Sequence, residues 1–141
     1  MHTFSTQRSL AASPAEVFAA IQDPQRLARW WGPAGFSNVF EVFDFQEQGR
    51  WVFTMVGPDG TRYPNQARFA RIEADRQVVI EHTVQPLFQL TITLSPVSGG
   101  TRVQWDQVFE DAAVAKAIAA IVEPANEQNL DRLSRELGLS A

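Results

Sequence analysis

Residues 88–111 read FQLTITLSPVSGGTRVQWDQVFED, and their pattern decides the fold. Apolar and polar side chains alternate on both sides of the turn at residues 98–100. This alternation is typical of two antiparallel strands that keep one face in water. Asp111 then caps a helical tail that ends at Gly138. Pro124 interrupts this tail, so we expect a kink there or two helices that meet end to end.

The sequence before this hairpin predicts one strand, two short helices and further strands. A first strand over residues 3–10 precedes a capping box at residues 13–16, which begins a helix that ends near Gln22. A second helix is expected from Pro24 to about Trp31. Turn signals and β-rich composition then predict strands over residues 50–56, 61–72 and 78–84. The fold class is therefore α+β, with a first strand, two short helices, about six more strands in meander order and a terminal helix long enough to cover one sheet face.

Composition excludes several classes of protein. A chain of 141 residues suits a single domain over residues 1–141. The absence of cysteine excludes disulfides and thiolate metal sites and fits the cytoplasm. The net charge is -4 and Lys116 is the only lysine, so a nucleic-acid partner is not expected. No signal peptide or membrane-spanning run is predicted, and we expect no membrane insertion.

Short motifs occur in a characteristic order along the chain. They are SPAEVF at 13–18, DP at 23–24, RWWGP at 29–33, GRWVF at 49–53, DG at 59–60 and EQNLDRL at 127–133. Their order and spacing resemble the START-like and Bet v 1-like helix-grip superfamily (SRPBCC). The resemblance is strongest to its AHSA1-like branch, which is related to the activator of Hsp90 ATPase. Gln48 departs from the family pattern, in which a second glycine usually precedes Gly49.

The resemblance implies a seven-stranded sheet that grips the C-terminal helix and leaves an internal cavity between them. Members of the superfamily bind lipids, sterols, polyketides or other hydrophobic molecules, and some are cyclases or hydrolases. The fold alone does not settle which of these functions this chain has.

His82 is the candidate catalytic residue. It shares strand parity with Val78, Ile80 and Val84, so its imidazole is expected to face the proposed cavity. It could act there as a hydrogen-bond donor or as a general base near neutral pH. The alternative is a histidine held by a backbone or side-chain partner.

The candidate ligand-binding residues are mostly aromatic and aliphatic side chains of the strands and helices, with Asn126 as an amide and Tyr63 on a strand whose alternation leaves its facing open. They are Trp30, Trp31, Phe53, Met55, Tyr63, Phe69, Phe88, Leu90, Trp105, Ile118, Val122 and Asn126. Such rows can equally be core, and of Trp30 and Trp31 we expect one to pack and the other to line the cavity. Asn126 and Asn129 either orient a ligand or lie exposed at the edge of the helix. Asp44 and Asp106 are the candidates for an acid/base pair with His82, but parity points Asp106 outward and leaves the facing of Asp44 open, so neither is assigned a catalytic role.

Three functions remain open at this point. The first is binding of a hydrophobic small molecule without catalysis, and the second is a polyketide cyclase, lyase or hydrolase that uses His82. The third is a module that interacts with an Hsp90-type chaperone, which only the family resemblance suggests. No nucleotide, nucleophile or metal motif is present, so no cofactor and no metal are expected. An unpaired strand edge would allow a homodimer.

Overall fold

A computed structural model describes residues 1–139 of the chain. The strands are β1 (His2–Leu10), β2 (Ser37–Phe43), β3 (Arg50–Val56), β4 (Arg62–Glu73), β5 (Gln77–His82), β6 (Phe88–Val97) and β7 (Gly100–Phe109). The helices are α1 (Pro14–Gln22), α2 (Pro24–Trp30) and α3 (Ala112–Glu136). All seven strands form one antiparallel sheet in the order β1-β7-β6-β5-β4-β3-β2. The predicted α+β helix-grip architecture is confirmed.

The helices begin where the sequence places their caps. The Ser13 hydroxyl accepts a hydrogen bond from the Glu16 N–H, and the Glu16 carboxylate accepts one from the Ser13 N–H. Asp23 caps α2, and Asp111 caps α3 through the N–H groups of residues 113 and 114. Each cap satisfies backbone donors that have no partner within the helix, and this fixes the residue at which each helix starts.

The main core lies between the sheet and the helices. Alternation along the strands directs apolar side chains toward this layer, and α3 contributes Leu130 and Leu133, both fully buried. A second, smaller cluster joins Phe4, Phe109 and Ala115 at the start of α3. The helix therefore packs on the sheet at both of its ends.

Polar contacts also attach α3 to the edge strand β1. The Thr6 hydroxyl donates a 2.6 Å hydrogen bond to Glu127, and Arg8 forms ion pairs with Glu127 and Asp131. These side chains are only partly buried, so each ion pair contributes modestly on its own. Together they fix the rotation of α3 over β1.

Two details differ from the sequence-based expectations. The terminal helix is one continuous element that runs through Pro124, so the alternative of two helices is wrong. Strand β5 ends at His82, and Val84 lies beyond it.

Gln48 shows why a glycine suits its position. Its φ is 69°, and its N–H donates a 2.7 Å hydrogen bond to the Phe69 carbonyl. A left-handed backbone is strained for a residue with a Cβ, whereas glycine adopts it freely. Gln48 therefore adopts, in the turn before β3, a backbone conformation that glycine would adopt with less strain.

Candidate functional site

A cavity of about 250 Å³ lies between the sheet, α3 and the segment that follows α2. Apolar and aromatic side chains form most of its wall, and amides and one imidazole supply the polar groups. The residues that line it are Trp31, Gly32, Pro33, Trp51, Phe53, Met55, Asn65, Ala67, Ile80, His82, Pro86, Phe88, Leu90, Trp105, Gln107, Ala125, Asn126 and Asn129. The set contains no aspartate, glutamate, lysine or arginine, so the wall presents no permanent charge.

The structure brings most of the predicted ligand-binding residues to this cavity. Those that line it are Trp31, Phe53, Met55, Phe88, Leu90, Trp105 and Asn126, together with His82. The structure places Trp30, Tyr63, Phe69, Ile118 and Val122 elsewhere.

Each residue outside the cavity has an identifiable packing role. Trp30 is buried and donates its indole N–H to the Ala20 carbonyl at 2.9 Å. Phe69 is fully buried, with its ring stacked on that of Trp51. Tyr63 is 46% exposed and contacts Phe36. The side chains of residues 118 and 122 pack on the second cluster. These contacts explain why inward parity alone did not identify cavity residues.

Several cavity residues were missed from the sequence. Gln107 shares strand parity with Trp105 and Phe109, so its inward position could have been predicted. Asn65 lies opposite Phe53 in the β3–β4 register, and that pairing cannot be obtained from local alternation. Ala125 offers no signal beyond its place on α3.

Tryptophan rings form one side of the cavity. The Trp31 ring centroid lies 5.1 Å from that of Trp51 and 5.7 Å from that of Trp105. Trp51 in turn stacks on Phe53 at 4.1 Å. Such contacts hold large flat side chains in fixed orientations and give the cavity a rigid wall.

Amides of α3 hold the segment that follows α2, which forms part of the cavity wall. Asn129 accepts a hydrogen bond from the Gly32 N–H at 3.2 Å and donates one to the Trp30 carbonyl at 2.9 Å. It is 5% exposed, so the alternative of solvent exposure does not apply to this side chain. Asn126 is partly buried and donates to Oε1 of Gln107 at 3.1 Å.

His82 is buried in the cavity wall, and each of its ring nitrogens lies within hydrogen-bond distance of a protein oxygen. Nδ1 lies 2.8 Å from the Pro86 carbonyl oxygen, and Nε2 lies 2.7 Å from Oδ1 of Asn65. The Asn65 amide nitrogen donates to the Tyr63 carbonyl, which turns its oxygen toward His82. The imidazole also stacks on Phe88, with ring centroids 4.6 Å apart. Since a neutral imidazole has one N–H, it donates a hydrogen bond to only one of these two oxygens.

The carboxylates considered as partners of His82 do not approach it. Asp44 is exposed and accepts a hydrogen bond from Gln46. Asp106 accepts one from Gln104 on the other face of β7. The structure therefore does not bring an acid or base pair together at His82.

We expect the stability of the fold to decrease on mild acidification because of His82. Burial lowers the pKa of His82 from the usual 6.5, and its backbone contacts at Pro86 and Val84 oppose that shift only in part. As the pH falls through 6.5, the unfolded chain therefore binds a proton before the folded chain does, and the free energy of unfolding decreases. Urea unfolding followed by tryptophan fluorescence between about pH 5 and pH 7.5 measures this effect.

The His82→Gln variant is the control for this prediction. It removes the titrating group, so its free energy of unfolding should vary less over the same pH range. If the wild-type protein instead becomes more stable on acidification, the pKa of His82 is raised in the folded state. The oxygens of Pro86 and Asn65 would then stabilise the imidazolium.

A sequence model of the family described as activator of Hsp90 ATPase homolog 1-like protein matches residues 11–138. The chain belongs to this family. The fold of AHSA1-like proteins accounts for the sheet that surrounds α3 and for the position of the cavity between them. No curated protein matches the chain significantly.

Solved structures with this fold come from several bacteria. A protein from Arthrobacter aurescens has a TM-score of 0.88 and 25% identity, with 96% of this chain and 86% of that chain covered. One from Chromobacterium violaceum has a TM-score of 0.84 and 23% identity, with 96% of each chain covered. An AHSA1-like protein from Aeromonas hydrophila has a TM-score of 0.77 and 20% identity, with 97% of this chain and 92% of that chain covered. These structural similarities, which extend over nearly the whole chain, show that the AHSA1-like protein shares its fold with them.

Within residues 1–139, no helix combines the length and apolar composition that a membrane span requires. The same residues contain no group of three or more histidine, aspartate or glutamate side chains arranged to hold a metal ion.

Proposed function

We propose that this AHSA1-like protein binds a compact hydrophobic small molecule in the cavity between the sheet and α3. The observation that carries the proposal is the wall itself, in which aromatic side chains surround about 250 Å³ and a few amides supply fixed polar groups. Ligand sites in proteins typically have this composition.

The size of the cavity limits the ligand. An apolar cavity of about 150 Å³ holds benzene. A cavity of about 250 Å³ therefore suits a molecule of two fused rings, with about ten to twelve non-hydrogen atoms. A sterol or a long acyl chain would need a larger space.

Filling the cavity from α3 should abolish binding. Ala125 lines the cavity, and a phenyl ring at this position would occupy much of its volume. We expect Ala125→Phe to weaken the binding of the aromatic probes naphthalene and coumarin by at least about tenfold, because the bound ring would overlap the new side chain. Isothermal titration calorimetry at equal protein concentration measures the change.

Ala117→Phe is the matched control, since Ala117 is exposed on the same helix. Circular dichroism of both variants checks that the fold is kept. Native mass spectrometry of the wild-type protein would also detect a ligand that co-purifies with it. If neither probe binds the wild-type protein and none co-purifies, the proposed function is wrong.

The other functions have less support from the site. A general base needs a free lone pair that faces the substrate, whereas both ring nitrogens of His82 face protein oxygens. A chaperone partner is suggested only by the family description. Strands β1 and β2 end the sheet, so a homodimer through one edge stays a prediction, as does a cytoplasmic location.

A further inference from the structure

The amide and imidazole side chains of the cavity wall differ in how much of their hydrogen-bonding capacity the protein itself uses. They are Asn65, His82, Gln107, Asn126 and Asn129. In Asn65, His82 and Asn129, both polar ends lie within hydrogen-bond distance of other protein groups. Gln107 and Asn126 use one polar atom each, in the single bond between them. The capacity to bind a ligand therefore remains with this pair.

The amide nitrogen of Gln107 is free and can be reached. Asn126 donates to Oε1 of Gln107, and within residues 1–139 Nε2 of Gln107 forms no hydrogen bond. The fully enclosed side-chain atoms without a partner in that part of the chain are Oδ1 of Asn38 and Nε1 of Trp51 and Trp105. Nε2 of Gln107 is not among them, so it keeps surface that a small molecule can contact.

The position of Gln107 directs this surface inward. Gln107 lies on β7 between Trp105 and Phe109, on the buried side of the strand, and is only 9% exposed. It lines the cavity, whereas Val108 on the opposite side of β7 lines a groove on the outside of the sheet. The reachable surface of Nε2 therefore belongs to the cavity.

The wall defines the group that would bind there. Nε2 of Gln107 carries two N–H groups, so its complement is an acceptor oxygen. No carboxylate, amine or guanidinium lines the cavity, and a charged oxygen would lose its hydration without a counter-charge. His82 does not supply one, because burial lowers its pKa and favours the neutral ring. A neutral carbonyl oxygen meets both conditions.

We propose that the cavity recognises an uncharged two-ring molecule with a carbonyl oxygen, and that Gln107 donates a hydrogen bond from Nε2 to that oxygen. Asn126 acts as a positioning residue, because its bond to Oε1 leaves Nε2 for the ligand. The inference rests on the proposed function and adds the polar group of the ligand and the residue that selects it. No covalent step is involved.

Three two-ring molecules separate hydrogen bonding from burial. Naphthalene has no polar group, coumarin carries oxygens that only accept hydrogen bonds, and indole carries an N–H that only donates one. Calorimetric titration gives the affinity of coumarin and of indole, each divided by the affinity of naphthalene. Such a ratio cancels any change in the cavity that affects all three probes alike.

Gln107→Leu removes the amide and keeps a side chain of similar size. We expect it to lower the coumarin-to-naphthalene ratio about tenfold, because the buried carbonyl oxygen loses its donor. The indole-to-naphthalene ratio should not fall, since the indole N–H gains nothing from a donor on Gln107. Gln104→Leu is the matched control, the same change on the opposite side of β7, and should leave both ratios unchanged.

Asn126→Asp tests the positioning role. A carboxylate only accepts hydrogen bonds, so Gln107 should turn Nε2 toward it and present Oε1 to the cavity. The coumarin ratio should then fall and the indole ratio rise, by about threefold each. In a Gln107→Leu background the same substitution should change neither ratio, which shows that the effect passes through Gln107. Equal effects in the two backgrounds would exclude the positioning role.

The wild-type protein provides a direct measurement that does not depend on any variant folding. In ¹⁵N–¹H spectra, coumarin should shift a side-chain N–H signal of Gln107 downfield, and naphthalene should not. The side-chain signals of Asn129 should not show this shift, because that amide is already bonded at both ends.

The results separate the two proposals. If the probes bind, but Gln107→Leu leaves the coumarin ratio unchanged or lowers both ratios equally, the protein is a binder and Gln107 does not select a carbonyl oxygen. The absence of the downfield shift of Gln107 with bound coumarin leads to the same conclusion. If no probe binds the wild-type protein and no ligand co-purifies with it, both the proposed function and the role of Gln107 are wrong.

Discussion

Phe69→Ala should lower the free energy of unfolding by about 3–5 kcal/mol, the range for removing a buried phenylalanine ring from a packed core. Phe69 is fully buried, and its ring centroid lies 5.0 Å from that of Phe45 and 5.7 Å from that of Trp51. The neighbouring rings are large and rigid, so they cannot collapse into the space that alanine would leave. Urea unfolding at fixed pH measures the loss.

Substitutions at Phe69 also distinguish a residue of the packed core from one that contacts a ligand. The sequence predicts Phe69 as a ligand-binding residue, whereas the structure places its ring outside the cavity. Phe69→Leu keeps most of the volume, so it should destabilise the protein by less than Phe69→Ala and leave the affinity for coumarin unchanged. Tyr63→Ala on the same strand is the exposed control and should change stability little. A clear loss of coumarin affinity in Phe69→Leu would mean that Phe69 contributes to ligand binding.

The fold could be predicted because each local signal agreed with the others. Caps at Ser13, Asp23 and Asp111 mark the helix starts, and alternation between residues 88 and 109 marks a pair of strands. Alternation also gives the inward side of a strand, and it placed His82 on the face that lines the cavity. These are short-range properties, and a sequence carries them explicitly.

The site could be predicted only in part because alternation gives the side of a strand and not the position along it. Phe53 and Phe69 both face inward, but Phe53 lines the cavity and Phe69 is covered by other rings. On α3, the boundary between residues of the second cluster and residues of the cavity depends on where the helix crosses the sheet. Val122 packs on the second cluster, while Asn126 reaches the cavity one turn later. Such positions depend on long-range register, which no local pattern contains.

The sequence also did not reveal a contact made by Arg132, in the EQNLDRL motif, to a segment that forms part of the cavity wall. The Arg132 guanidinium donates to backbone carbonyls in the last turn of α2 and in the segment between α2 and β2. The distances from Nη1 are 2.9 Å to Trp31, 3.1 Å to Gly32 and 3.0 Å to Pro33, and those from Nη2 are 2.7 Å to Arg29 and 2.9 Å to Phe36. Within residues 1–139, no carboxylate lies within ion-pair distance of Arg132. The charge is therefore held by carbonyl dipoles, and one side chain on α3 orders the loop that carries Trp31.

We expect Arg132→Ala to lower the free energy of unfolding by about 3 kcal/mol, because hydrogen bonds to a charged group contribute about 1.5–3 kcal/mol and these five share one guanidinium. Arg132→Lys should recover only a small part of this loss in the free energy of unfolding. A lysine ammonium cannot reproduce the planar arrangement of guanidinium N–H groups that reaches carbonyls on both sides. Arg135→Ala is the control, because Arg135 is exposed one turn further along α3. Hydrogen exchange of residues 29–36 should accelerate in Arg132→Ala and stay unchanged in Arg135→Ala, which ties the loss to this loop. Equal stability and equal hydrogen exchange in the two alanine variants would mean that residues 29–36 keep their conformation without the guanidinium. The tryptophan contacts and Asn129 would then be sufficient to position this part of the cavity wall.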